Sequence, residues 1–368
     1  MLKLSSSRLV PGMVLVEDAV SFNGTVIVKK GVVLTDKNIS SIAFHGINNV
    51  LIETSSDRQQ ATPVVQTPSK PVNEVGHISK TTALKNTKEF LQYKAKFEET
   101  THIFSNSLND IIKRNGEVDT GALLSQLTSL YSDIPKGSSV FDIIHSMRDY
   151  DDSTYVHSIN VTLVTLMFAK WLDLPEEDVE ILSIGALLHD IGKLYIPENI
   201  IKKDGRLTDT EFEVIKSHPI HGYKLVADTD LNVHVKNIIL MHHEKCDGSG
   251  YPFGLKGDKI DRFAKIVAIA DIYDATTSAR VYRGPLSPFE VVDIFISEGF
   301  QKFEAKYIMV FLQKIAETYL DQDVILSTGE QGTVVFINSN SLSRPIVRVG
   351  EKFYDLSKEK DISILKIV

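Results

Sequence analysis

Residues 154–319 read as helix after helix, and residues with metal-ligand chemistry stand on helix faces that are otherwise apolar. The centre of this pattern is Leu188-His189-Asp190-Ile191-Gly192-Lys193. Ile181, Ile184, Leu187, Leu188 and Ile191 recur at helical spacing, which predicts a core helix with an adjacent His-Asp pair near its C-terminal end. Packing alone gives no reason for such a pair, whereas both side chains are good ligands for a divalent metal. Lys193 follows His189 by four residues and is expected on the same helix face. A metal ligand beside an ammonium suggests a site for an anion, most simply a phosphate.

Further residues of the same chemistry follow at intervals: His157, His218, the pair His242-His243, and Asp271. Seven of the chain's 11 histidines lie between residues 157 and 243. Any one of them alone reads as a satisfied core or surface histidine; two adjacent pairs of ligand-type residues on apolar helices favour a metal site. Asp271 stands among Ile266, Ile269, Ala270 and Tyr273, and a carboxylate there is costly to bury unless it is paired or metal-bound.

Directly after the His pair comes Glu244-Lys245-Cys246-Asp247-Gly248-Ser249-Gly250-Tyr251-Pro252, which cannot continue a helix. Glycines let the backbone approach a ligand closely, and Tyr251 offers a flat face with a hydroxyl, so a pocket wall is favoured over a plain turn. Cys246 is the chain's single cysteine and is read as a loop residue without a metal role.

Length and charge narrow the classes. A chain of 368 residues can hold two or three cores. A net charge of −8 argues against a groove for a nucleic-acid polymer but leaves room for local phosphate binding. With no run of 18 apolar residues, no signal-peptide pattern and one cysteine, the expectation is a cytoplasmic protein without a membrane span.

The fold class expected is mainly α, an all-helical core flanked by small β-rich modules at either end. Residues 1–53 form short apolar runs separated by turn signals, with one short helix over 36–44; 54–82 is a polar, proline-containing flexible linker. Residues 83–149 form a helical connector whose long first helix is amphipathic. Its apolar stripe is read as packing on the next domain, with a homodimer seam as the sharper alternative. Residues 150–320 form the candidate catalytic domain, and 321–368 a small antiparallel meander.

Three ordered motifs, His189-Asp190-Ile191-Gly192-Lys193, His242-His243-Glu244-x-x-Asp247-Gly248-x-Gly250-Tyr251-Pro252 and Ile269-Ala270-Asp271-x-x-Asp274-Ala275-x-x-Ser278-x-Arg280, closely resemble the HD-GYP family. These are cyclic dinucleotide phosphodiesterases within the HD metal-dependent phosphohydrolases. The resemblance covers roughly residues 150–319. It implies His157, His189, Asp190 and Asp271 as the ligands shared by HD phosphohydrolases, and His218, His242 and His243 as those of a second metal, with Asp190 bridging. It also implies Lys193, Arg280 and Arg283 at phosphate-contacting positions and Tyr251 in the substrate pocket.

The reaction implied is hydrolysis of cyclic di-GMP to a linear dinucleotide, or onward to GMP, by a hydroxide bridging two divalent metals, with Asp190 and Lys193 as the catalytic pair. Histidine and carboxylate ligands without thiolate suit iron, manganese, cobalt, nickel or zinc; the resemblance points to iron or manganese. Some members carry a third metal held partly by a glutamate four residues before the first histidine. Ser153 stands there in this chain, so two metals are expected. The alternatives are a preference for cyclic GMP-AMP, a related phosphohydrolase acting on mononucleotides, and a non-catalytic cyclic dinucleotide sensor.

Overall fold

The computed structural model describes residues 2–5, 9–20, 26–44, 47, 49–53, 84–113, 117–147, 154–203, 207–277 and 287–368. Its body is helical. The helix Thr154–Trp171 lies at the centre, buried around most of its circumference by Ile159, Val161, Leu163, Val164 and Phe168 among others. It packs against the helices Glu176–Leu188 and Arg262–Thr277, and the first of these packs in turn against Val233–Met241. The last crossing is close because Gly185 faces Ile238: a Cβ on Gly185 would meet Ile238 Cδ1 at 2.2 Å.

The amphipathic helix of the connector is Lys88–Lys113. Its stripe of Phe90, Tyr93, Phe97, Phe104, Leu108 and Ile111 is buried in the same core as the helical body, and Phe104 meets Tyr155 edge-on at 6.3 Å. Packing within the chain therefore occupies the stripe that a dimer seam would have used.

Two helix boundaries differ from the expectation, and both shape the site. The core helix does not run through Lys193; it ends at Leu188, and the chain tightens into a 3-10 turn over Ile191–Tyr195. Contact with the His218 helix accounts for this. Gly192 lies so close to the backbone of His218 and Gly222 that a Cβ would fall 1.9 Å from the His218 carbonyl oxygen. Nor does His218 end the helix opened by Thr208. That helix, Asp209–Lys216, begins with the expected capping box, in which the Thr208 hydroxyl accepts from Glu211 N and the Glu211 carboxylate accepts from Thr208 N. It stops at Lys216, and His218 starts a new helix, His218–Val226, with Pro219 in its first turn. Proline clashes with a carbonyl four residues back, so it breaks the first helix and is tolerated at the start of the second.

The N-terminal module has its own small core of Leu9, Leu15, Val28, Leu34, Ile39, Ile42, Val50 and Ile52. Strands β1 (Leu2–Ser5) and β4 (Asn49–Ile52) pair antiparallel, as do β2 (Ala19–Val20) and β3 (Val26–Val28), with the helix Asp36–Phe44 between β3 and β4. At the other end, β5 (Asp323–Leu326), β6 (Gln331–Phe336), β7 (Ile346–Val349), β8 (Lys352–Asp355) and β9 (Ile364–Ile367) form an antiparallel sheet in the order β8-β7-β6-β5-β9. The expected meander is its β6–β8 part. Its inner residues Val324, Leu326, Val334 and Val347 join the core of the helical body. Both β modules touch the helix Pro288–Ile294 through Asp293, which pairs with Lys37 and accepts a hydrogen bond from Ser343 Oγ at 3.1 Å. Among the described residues no helix is long and apolar enough to cross a membrane. The expected linker lies outside the described residues, apart from its neighbours at 53 and 84.

Candidate metal centre

Five helices deliver the candidate ligands to one place. His157 comes from the central helix, and Asp271 from the middle of Arg262–Thr277. His189 and Asp190 lie just past the end of Glu176–Leu188, His218 opens its helix, and His242 and His243 follow Val233–Met241 directly. All seven expected ligands meet, in two groups: His157, His189 and Asp271 in one, and Asp190, His218, His242 and His243 in the other.

Asp190 stands between the groups, with 2% of its side chain exposed. Its Oδ2 lies 3.4 Å from His189 Nε2 and 3.8 Å from His157 Nε2. Its Oδ1 lies 3.1 Å from His218 Nε2 and 3.8 Å from His242 Nε2. One oxygen of the carboxylate thus faces each group. Lys193 sits beside it, with Nζ 2.5 Å from Asp190 Oδ2. The partner of Lys193 at this range is therefore Asp190, three residues back, and the shared face with His189 that a continuous helix would have given is replaced by the 3-10 turn.

The histidine tautomers follow from their other nitrogens. Nδ1 of His189 lies 2.6 Å from the Ala186 carbonyl, Nδ1 of His218 2.8 Å from that of Ile215, and Nδ1 of His242 3.1 Å from that of Ile239. A carbonyl only accepts, so each Nδ1 carries a proton, and in the neutral, metal-binding form of the ring Nε2 turns a bare lone pair toward the site. His218 Nε2 and His242 Nε2 are then 3.2 Å apart with lone pairs opposed. His189 Nε2 and Asp190 Oδ1 are buried without a hydrogen-bond partner. Orphaned acceptors aimed at one another are what a cation would satisfy. Two ligands of one metal, each at about 2.1 Å, stand about 3.0–3.4 Å apart at ordinary angles. The donor set therefore fits a pair of divalent metals.

The charges of the site support this. Burial pushes the Asp190 carboxyl up, but Lys193 and the surrounding histidines hold it well below the usual carboxylate range. Burial also works against a charged His157, yet its hydrogen bonds to Asp271 and Asp274 raise it to about 10. In the absence of metal His157 therefore carries a proton, which a metal must displace. Burial, together with His189 and His218, lowers His242 to about 3, so it stays neutral and available as a ligand.

The loop after the His pair is built to hold Tyr251 against this centre. Tyr251 N donates to the His243 carbonyl at 3.2 Å, and the Tyr251 ring lies 4.5 Å from that of His243. Burial and then the charges of Asp271 and Asp190 hold the phenol well above its usual pKa, so it remains a hydrogen-bond donor. Glu244, which sequence reasoning passed over, fixes the loop: its buried carboxylate accepts from Phe253 N at 2.7 Å and from Leu255 N at 2.8 Å. Glutamine at this position can accept only one of these bonds and turns an NH2 toward the other donor. Glu244→Gln is expected to cost about 1–3 kcal/mol and to raise KM by loosening the loop. Hydrogen exchange at residues 249–255 together with steady-state kinetics checks this; unchanged protection there would contradict it.

Cys246 belongs to neither ligand group, and its backbone N–H donates to the Lys302 carbonyl. Arg280, Arg283 and residues 151–153, on which the expectation of no third metal rests, lie outside the described residues.

Residues 137–306 match the family described as HD domain. Over 204 residues the chain is 34% identical to the cyclic di-GMP phosphodiesterase PA4108 of Pseudomonas aeruginosa, covering 55% of this chain and 49% of that protein. It is 43% identical over 138 residues to the cyclic di-GMP phosphodiesterase response regulator RpfG of Xanthomonas campestris, covering 37% of this chain and 36% of that one. It is 39% identical over 154 residues to the 3'3'-cGAMP-specific phosphodiesterase 1 of Vibrio cholerae, covering 39% and 34%. The chain thus spans half or less of the length of these relatives. Over part of its length the chain is similar to cyclic di-GMP and 3'3'-cGAMP phosphodiesterases.

Proposed function

We propose that this protein is a metal-dependent phosphodiesterase that hydrolyses cyclic di-GMP to the linear dinucleotide pGpG, with GMP as a further product. The observation that carries the reading is Asp190, whose two oxygens face two separate histidine groups. That is the arrangement of a carboxylate shared between two metals. On this reading residues 150–320 are the catalytic domain, and 1–53 and 321–368 are flanking modules.

His157, His189 and Asp271 would hold one metal and His218, His242 and His243 the other, with Asp190 between them. Bound divalent metals, which we take to be iron or manganese, supply a water acidic enough to attack near neutral pH and positive charge for the phosphodiester. The remaining work falls to side chains. Lys193, beside Asp190, would steady a non-bridging phosphate oxygen as negative charge grows. Tyr251 donates its hydroxyl and offers its ring to the nucleotide. Arg280 and Arg283 are proposed as further phosphate contacts.

A preference for cyclic GMP-AMP is the second reading, favoured by the likeness to a relative specific for that substrate. Turnover of the metal-loaded chain on both cyclic dinucleotides and on a mononucleotide panel decides between them. Absence of turnover on all of these, with metals bound, would leave the sensor reading in its place.

Lys193→Ala is expected to retain metal and to lose one charge-assisted contact, worth about 1.5–3 kcal/mol, which is roughly a 10- to 150-fold fall in kcat/KM. Kinetics on metal-quantified protein checks it; an unchanged kcat/KM would place Lys193 outside the reaction.

A further inference from the structure

The two ligand groups differ in what stands behind them. His189, His218 and His242 each rest Nδ1 on a neutral backbone carbonyl. His157 rests on a carboxylate: its Nδ1 lies 2.8 Å from Asp274 Oδ2, while its Nε2 lies 3.0 Å from Asp271 Oδ1. Asp274 is buried, 2% exposed, and follows Asp271 by three residues on the helix Arg262–Thr277, so one helix face presents both a ligand and the support of another ligand. A carboxylate that accepts the Nδ1 proton of a ligating imidazole fixes the ring and raises the basicity of the opposite nitrogen.

The charge balance runs the same way. The group of His157 and His189 contains Asp271, is faced by Asp190 Oδ2 and has Asp274 behind it. The group of His218, His242 and His243 has Asp190 as its carboxylate, and Asp271 reaches it only at the longer range of 3.7 Å, from Oδ2 to His243 Nδ1. Lys193, with Nζ 2.5 Å from Asp190 Oδ2, offsets the shared carboxylate, so the extra negative charge near a dication in the first group comes from Asp271 and Asp274.

We propose that Asp274 is a positioning residue that makes the two metal sites unequal, so that the His157–His189–Asp271 site binds its metal more tightly and fills first. This rests on the binuclear reading above and adds an order of loading to it. Asp274 acts only through His157; it touches neither metal nor substrate.

The test is a titration of the full-length, metal-stripped chain with Mn2+, with bound and free metal followed by electron paramagnetic resonance and calorimetry. The wild type is expected to show two classes of site. Asp274→Asn keeps an oxygen acceptor for His157 Nδ1 but removes the charge, and is expected to weaken the tight class about 10- to 100-fold while the weak class stays unchanged. A purely structural role would instead weaken both classes together and overturn the proposal. A second measurement needs no variant. In crystals of the wild type given less than one equivalent of Mn2+, the anomalous peak is expected among His157, His189 and Asp271. A peak confined to the His218–His242–His243 group, or equal peaks in both, overturns it. A wild type that binds no Mn2+ overturns the binuclear reading itself, whereas two indistinguishable classes overturn this proposal alone.

Discussion

Replacing Asp190 with alanine is expected to abolish hydrolysis of cyclic di-GMP and to strip metal from both ligand groups, while the chain stays folded. The loss is double because the carboxylate is shared. Oδ2 serves the His157–His189 side at 3.8 and 3.4 Å, and Oδ1 serves the His218–His242 side at 3.1 and 3.8 Å. Removing one side chain deletes a ligand and a negative charge from both groups at once. Asp271 is then the one carboxylate left among the expected ligands, too little charge to offset two dications.

The fold is expected to survive for a local reason. Lys193 would lose its partner, but its side chain is 26% exposed and its ammonium can turn to water. Asp190→Asn sharpens the test, because it keeps the shape and removes the charge. Metal content by elemental analysis, turnover on the cyclic dinucleotide and a thermal melt of the metal-free protein are the three measurements. A metal-loaded Asp190→Ala protein that turns over at the wild-type rate would end the assignment of Asp190 as the bridge.

The residues that gather in the candidate site were legible because their signal is chemical. Histidine and aspartate on apolar helix faces are costly without a partner, so each stood out against its own periodicity. The long helices were legible for the same reason, and the capping box at Thr208 and Glu211 marked its helix start. What escaped is what tertiary contact decides. The helix after Leu188 tightens because Gly192 meets the backbone of another helix, and nothing within the 189–193 motif announces that neighbour. Pro219 was a readable break, yet it was placed after His218 and not in the first turn of a helix that His218 begins.

Asp274 and Glu244 lay inside recognised motifs, but their roles depend on partners far away in the chain. For Asp274 the partner is His157, 117 residues earlier; for Glu244 it is the backbone 9 and 11 residues later. Helical spacing from Asp271 was the one available hint for Asp274. In the C-terminal sheet, β5 and β9 were missed as partners because their pairing closes across the whole module.

The contact at Gly192 leads to the second large effect. Gly192→Ala is expected to destabilise the protein by about 3 kcal/mol or more, beyond the usual cost of overpacking, because the obstacle is backbone. The added Cβ would lie 1.9 Å from the His218 carbonyl oxygen, 2.5 Å from Gly222 N and 2.8 Å from His218 C. No side chain can rotate away to make room. The start of the His218 helix must retreat, and His218 goes with it, so the second ligand group opens and an ångström of misplacement costs activity as well. Gly222→Ala, on the other side of the same contact, is the control. There the nearest atom is a methyl of Ile239 at 2.7 Å, and the backbone of Gly192 is 3.2 Å away, so part of the strain can be relieved by a side chain. Urea unfolding midpoints should fall in the order wild type, Gly222→Ala, Gly192→Ala, and Mn2+ binding should fail first at the His218 group. If Gly192→Ala unfolds like the wild type and binds both metals, the two helices do not meet as closely as this contact requires, and the origin of the 3-10 turn must be sought elsewhere.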